Sequence, residues 1–397
     1  VDFTLPSALK ELRAQVREFV DSRIIPVETL IVREDRQGSH QTLQALQAQA
    51  KRDGLWVPHL PPELGGKGLG VLGMCVLFRE MGRSFVGAKV FNCDAPDQGN
   101  MDMLLRVGTP AQQAEWLGPL CRAEVTSAFC MTEPAPGAGA DPSNLRTRAE
   151  LTDGQWVING HKWYSTGAGA ASVLVVMART SDDPRRGATM FLLPRNSAGI
   201  THVRDVPTMG DELLQHREAE LLFENVTVGQ DAVLGAVGEG FALAQTRLVP
   251  ARLTHCMRWL GLADRALSLC REYLVTRESF GKTLAHHQLV QKMIADNARA
   301  IHAGNLLTFH CAWEIEHGDP KQARAYSSMT KNHVAQTLCK VLDDAIQLHG
   351  GKGYSDDLPF ASWYRNARAA RIADGPDEVH DVVVAREWFL GRLELLV

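Results

Sequence analysis

The stretch RIADGPDEVH, residues 371–380, sets one acid, Asp374, between an apolar and basic run and a Gly-Pro step. A carboxylate there can act as a general base and take a proton from a bound molecule. It can equally start the helix that follows, because Pro376 suits a first helical position and acids favour the positive N-terminal end. The residues alone leave both readings open, and the helix start is the commoner use of such an acid. FCMTEP (129–134) and INGHKWYSTG (158–167) supply short hydroxyls, Thr132, Ser165 and Thr166, and one broad aromatic, Trp163. These are either a binding wall for a planar ring or ordinary strand hydroxyls with a cross-strand packing residue. RESFGKTLAHHQ (277–288) opens with Arg277, whose forked guanidinium suits a diphosphate. QLHGGKGY (347–354) offers amide donors and close backbone approach at Gly350 and Gly351, and it also reads as a helix stop. HCAWEIEH (310–317) and the pair His286-His287 lack the H-E-x-x-H spacing, so no metal site is expected.

Three textures of sequence position these groups. With 397 residues, the chain is long enough for two or three domains. Residues 1–124 are helical in pattern, as in SALKELRAQVREFVDSRI, whose apolar residues recur every three or four positions. The opening stretch reads as a charged amphipathic helix and not as a signal peptide. PHLPPELGGKGLG (58–70) is a connector whose glycines follow no strand, so it is not a dinucleotide-binding turn. Residues 125–235 change to strands, including QWVINGHKWYS, where Asn159-Gly160 is expected to form a type I′ hairpin turn. Short strands with hairpin connections imply an antiparallel barrel or sandwich. Residues 236–397 return to long helices, 242–277, 287–317, 322–349 and 377–395, which can pack as a bundle, with Pro250 expected to kink or divide the first. The expected fold is therefore α+β: a helical domain, a β domain and a four-helix-type bundle.

At 45% apolar and 22% charged residues, the composition is that of an average globular protein. A net charge of −4 and the lack of a dense basic run argue against nucleic acid as a partner. No apolar stretch approaches the ~20 residues of a membrane span. Eight scattered cysteines without a C-x-x-C pair suit a reducing interior, a bacterial cytoplasm first and a mitochondrial matrix second.

In this order, FCMTEP followed by GAGAD, INGHKWYSTG, RESFGKTLAHHQ and QLHGGKGY resemble the acyl-CoA dehydrogenase superfamily over nearly the whole chain. ADGPDEVH and RLTHCMRWLG (252–261) look most like the branch of family members ten and eleven, which use an aspartate base. The resemblance implies FAD as cofactor. Phe129, Met131, Thr132, Trp163, Ser165 and Thr166 would lie along the flavin. Arg277, Phe280, Gln288, Gln347, Gly350 and Gly351 would hold its pyrophosphate side, supplied by a neighbouring subunit, and Pro376 and Glu378 would add contacts. It also implies a homodimer or homotetramer, an acyl-CoA substrate met by Arg252, Ala140 and Gly375, and an electron-transfer flavoprotein as acceptor. Asp374 would take the α-proton while the flavin accepts the β-hydride, leaving a trans-2-enoyl-CoA. The thioester oxygen would be stabilised partly by the base's own N–H. Some family members carry the base on an earlier helix, here near Ala251, where no acid occurs. Two departures fall on the substrate side: an Ala135-Pro136 insertion and Ala140 where the signature has serine. The same fold hosts acyl-CoA and nitroalkane oxidases and could hold a flavin without catalysis.

Overall fold

A computed structural model describes residues 4–183, 186–210 and 217–395. The N-terminal region contains α1 (Ser7–Phe19), α2 (Val71–Met81) and α3 (Asp97–Val107), with further helices at Glu28–Arg36 and Gln41–Arg52 between the first two. Eight strands follow: β1 (Ser127–Cys130), β2 (Arg148–Thr152), β3 (Gln155–Thr166), β4 (Val173–Arg179), β5 (Ala188–Pro194), β6 (Ile200–Val206), β7 (Glu218–Val228) and β8 (Val233–Leu234). The C-terminal region is built from α4 (Gly240–Leu274), α5 (Gln288–His317), α6 (Pro320–His349), α7 (Phe360–Ala367) and α8 (Asp377–Phe389).

The strands pair in the order β6-β7-β3-β2-β4-β5-β8, with β1 alongside β4. The ends do not meet, so the sheet is open and not a closed barrel. It is also mixed, since β1 runs parallel to β4. The reason is visible in β4, VLVVMAR, which is buried on both faces. Val173, Val175 and Met177 pack into a core shared with α1, α2 and α4, while Leu174, Val176 and Ala178 pack into the β domain's own core with Phe191 and Phe223. The first face fixes the sheet against the helices that carry the site.

The expected turn at Asn159-Gly160 does not form. β3 runs through it and pairs with β7, with a register shift between Ile158 and Gly160. The hairpin lies earlier, at Asp153-Gly154, where both residues have positive φ (51° and 80°) and β2 turns into β3. Gly160 is needed for proximity instead: a Cβ there would stand 2.5 Å from the Cβ of Thr147. The Asn159 side chain accepts the N–H of Asn225 at 2.7 Å, which fills the irregularity. Pro250 does not divide α4 either, because the helix continues on both sides of it.

Candidate active site

Asp374 occupies a turn just before α8. Its backbone is left-handed (φ 54°), a region that asparagine and aspartate enter more readily than other side chains, and Gly375 follows at φ 108°. A Cβ on Gly375 would lie 2.9 Å from His380 Nε2. Two buried cations hold the turn by its carbonyls. Arg252 Nε donates to the Asp374 oxygen at 2.9 Å, and Lys331 Nζ donates to the Gly375 oxygen at 2.7 Å. The acid that serves the helix start is Asp377, which is buried and accepts from Arg371 Nε at 2.6 Å. α8 begins at Asp377, Pro376 sits one place before it, and no side chain caps it. Asp374 is thus not the cap.

The Asp374 carboxyl is 24% exposed and lies 3.4 Å from His255 Nε2. Burial pushes its pKa up, but His255, Arg252, Arg247 and Lys331 outweigh that and hold it below the ordinary carboxylate value. It is therefore ionised at neutral pH. The main-chain N–H of Asp374 makes no hydrogen bond among the described residues.

Most of these groups come from α4, where the cations Arg247 and Arg258 share a face with Ala251 and His255 at four- and three-residue spacing. Arg247 stacks on the Phe129 ring at 4.2 Å and donates to Asn100 Oδ1 at 2.9 Å, tying β1 and α3 to α4. Phe129 is thus partly covered by a guanidinium. Arg252 is buried and not a free surface cation.

The β domain brings Thr132 and Trp163 together, since the Trp163 N–H donates to the Thr132 carbonyl at 3.0 Å. A second register shift in β3, between Lys162 and Ser165, puts Tyr164 at φ 47°. Such bulges often re-aim side chains beside sites. Trp163 stays half-buried with its ring edge-on to Tyr164, while Ser165 is buried and its hydroxyl has no partner. Thr166 donates to the Glu218 carboxylate at 3.0 Å. Under Thr132 lies a buried pair, Lys162 Nζ to Glu133 Oε1 at 2.8 Å, with Lys162 also donating to the Met131 carbonyl at 3.0 Å. The Ala135-Pro136 insertion is contained in a tight turn closed by Gly137 N–H to Pro134 O (2.8 Å) and Glu133 N–H to Ala138 O (2.7 Å). Ala140 is exposed beyond it.

The remaining candidates lie elsewhere. Arg277 and Gln288 are exposed, and Phe280 is 95% exposed at the tip of a small hairpin, Glu278–Ser279 with Lys282–Thr283. Gln347, Gly350 and Gly351 are exposed at the end of α6, where Gly350 closes the helix at φ 59°. Side chains added at either glycine would meet nothing within 4 Å, so the backbone is open to a ligand. Tyr273 stacks on His349 at 4.4 Å, which sets these two groups at one end of the bundle. Arg252 and Leu274 are separated along α4 by ~33 Å at ~1.5 Å per residue. Within one chain, the Arg277 group is therefore remote from Asp374. Glu378 is exposed near the start of α8. His255, Lys331, Arg247 and the Lys162–Glu133 pair were not anticipated. Only the spacing of charged residues on α4 hinted at the first and third.

Models of the acyl-CoA dehydrogenase N-terminal, middle and C-terminal domains match residues 6–124, 128–226 and 238–389. The chain is 41% identical to the probable acyl-CoA dehydrogenase FadE2 of Mycobacterium tuberculosis, over 87% of this chain and 84% of that protein. It is 36% identical to acyl-CoA dehydrogenase family member 11 of Gallus gallus over 98% of its own length but 51% of that protein's, so it spans about half of that relative. A solved structure of a candidate acyl-CoA dehydrogenase from Mycobacterium abscessus superposes with a TM-score of 0.93 at 38% identity, covering 98% of this chain and 100% of that one.

Proposed function

The chain belongs to the acyl-CoA dehydrogenase family of flavin-dependent oxidoreductases, and we propose that it dehydrogenates an acyl-CoA thioester at Cα and Cβ, with Asp374 as the α-proton base. The observation that carries this reading is the Asp374 turn: an ionised carboxylate, not used as a helix cap, beside its own unengaged N–H. Bound FAD supplies the hydride acceptor. Thr132 and Trp163 fit the edge and face of its ring system, and the unpartnered Ser165 hydroxyl is a further polar group at that strand. Asp374 receives the α-proton on its carboxylate, and its main-chain N–H polarises the thioester oxygen, which acidifies that proton. Arg252 keeps the turn in register and would also meet the CoA ester. The product is a trans-2-enoyl-CoA, and the electrons leave through a separate carrier such as an electron-transfer flavoprotein.

Assembly follows from the distance along α4. Arg277, Gln288, Gln347, Gly350 and Gly351, with Phe280 projecting beside them, would serve the pyrophosphate of a neighbouring subunit's flavin. That requires at least a homodimer. All eight thiols are free, consistent with a reducing compartment such as a bacterial cytoplasm.

The test is anaerobic mixing of the FAD-loaded protein with saturated acyl-CoA thioesters of graded chain length, beside Asp374→Ala. Bleaching of the visible flavin band in the wild type alone supports the reading. A flavin that no thioester bleaches, or one that a nitroalkane bleaches and oxygen quickly restores, replaces it with other flavin chemistry.

A further inference from the structure

The geometry points to His255 as a positioning residue for Asp374: a neutral imidazole, held through Nδ1 by Arg258, that presents Nε2–H to the carboxylate and itself takes no proton. The tautomer follows from donor arithmetic. Arg258 Nη2 lies 2.9 Å from His255 Nδ1. A guanidinium can only donate, so Nδ1 must accept and the ring proton must sit on Nε2. Nε2 is the atom that faces Asp374 Oδ2, at 3.4 Å. At that distance the two are in contact without hydrogen-bond geometry, and catalytic contacts are often loose until a ligand closes the site. The ring cannot drift freely, because it stacks on Trp259 with centroids 5.3 Å apart and planes at 23°. Arg258 is anchored through Nη1 by the Cys93 carbonyl at 3.0 Å, and its Nη2 also lies 3.7 Å from the Asp94 carboxylate.

A protonated His255 would turn Nδ1–H against the Arg258 donors. The surroundings agree: burial lowers its pKa first, and Arg258 and Arg247 on the same helix lower it further, against Asp374 from the turn and Asp94 from the segment before α3, to about 4. Arg252 and Lys331 add positive charge around the same carboxylate. His255 is therefore not an alternative base, although it lies one helical turn beyond Ala251. Its role is to hold one carboxylate oxygen, so that the other faces the substrate, and to keep the acid ionised. The name of positioning residue rests on the role proposed above for Asp374, but the tautomer and the pairing do not.

Three variants and two readouts test it. In protein labelled with nitrogen-15 at histidine, the His255 resonances, assigned by their loss in His255→Gln, should report bare Nδ1 and protonated Nε2 throughout pH 6–8, by the ordinary imidazole reference of ~6.5. Its Nε2–H signal should move in Asp374→Ala. A cationic ring at pH 6, the opposite tautomer, or a signal blind to Asp374→Ala overturns the inference whether or not any thioester reacts. The second readout is the pH profile of flavin bleaching. His255→Leu removes a donor to a charged acceptor, so the acid limb should move to higher pH and the rate at the acidic end should fall on the order of tenfold. His255→Gln, which keeps an N–H, should recover most of that loss. Coincident wild-type and Leu profiles, or a Gln variant no better than Leu, overturn it. If no thioester bleaches the flavin, the dehydrogenase reading fails, and the nitrogen-15 readout still decides the pairing.

Discussion

Lys162→Met should be among the most damaging single changes in the β domain. The Lys162 side chain is fully buried (0% exposed) and that of Glu133 is 2% exposed. Removing the ammonium leaves an ionised carboxylate in the interior, and unpairing a buried ion pair this way costs ~3–5 kcal/mol. Three donors remain to Glu133, the N–H groups of Arg146 (2.6 Å), Thr147 (2.9 Å) and Ala138 (3.2 Å), which sets the expectation near the lower end, about 3 kcal/mol. Titration points in the same direction. Burial pushes Glu133 up, yet Lys162 and Thr147 draw it from 4.5 down to about 2. That depression is the net of burial, Lys162 and the Thr147 donors, so it gives the direction of the pair's contribution. Because the folded-state value is depressed, this stability is present above about pH 4.5 and is lost as pH falls toward 2. Lys162 gives the opposite account, since burial lowers its amine below the usual value even with Glu133 beside it. The pair is thus expensive to bury, and 3 kcal/mol measures the cost of breaking it, not the benefit of having it. Urea unfolding of the wild type, Lys162→Met and the double variant Lys162→Met/Glu133→Gln decides the point. The single variant should lose about 3 kcal/mol and the double variant less, because glutamine leaves no charge behind. A single variant within about 1 kcal/mol of wild type, or a double variant no better than the single, would refute this reasoning.

Further outcomes follow from the same contacts. Gly160→Ala drives a methyl to 2.5 Å from the Thr147 Cβ and should cost on the order of 1–3 kcal/mol in thermal or urea unfolding; an unchanged midpoint would show slack between β3 and that segment. Asp374→Glu lengthens the acid by ~1.5 Å toward a histidine now 3.4 Å away, so bleaching should slow by tenfold or more, and a fully active glutamate variant would show that the turn yields. If Arg277 serves a neighbour's flavin, Arg277→Gln and Asp374→Ala chains, each inactive alone, should regain partial activity after subunit exchange; mixtures that stay inactive would place Arg277 in its own chain's site. Arg252→Met removes the donor to the Asp374 carbonyl and should cut the bleaching rate at least tenfold, with wild-type kinetics counting against a role for the turn's geometry.

The division into helices, sheet and helices was legible because it is written in local periodicity, three or four residues in α4 and continuous apolarity in β4. The hairpin was misread for a tertiary reason. Asn159-Gly160 has strong turn chemistry, but pairing with β7 and the nearness of Thr147 keep the strand going, and Asp153-Gly154 takes the turn. The site was legible where it repeats a string, as with Thr132 beside Trp163. It was not where the partners are distant in sequence: Arg252 and His255 meet Asp374 across more than a hundred residues, and Lys331 comes from another helix. No local pattern distinguishes an acid that starts a helix from one turned away from it by a left-handed φ.

That left-handed turn bears on the chemistry itself. The cations around Asp374 hold its carboxylate below the ordinary range, which guarantees an ionised base but also makes it a weak one. A thioester α-proton is far less acidic than any carboxylic acid, so lowering the base's pKa widens the gap the site must close. The side chain alone cannot close it. What can is stabilisation of the charge that develops on the thioester oxygen, where a fixed donor in a sheltered site is worth ~3–4 kcal/mol. The turn supplies such a donor: its two carbonyls are tied to Arg252 and Lys331, while the Asp374 N–H is left unpaired. On that proposal, the cations that would weaken the base also fix the backbone group that would acidify its substrate. On the proposed mechanism, Asp374 would act through its main chain as well as through its carboxylate.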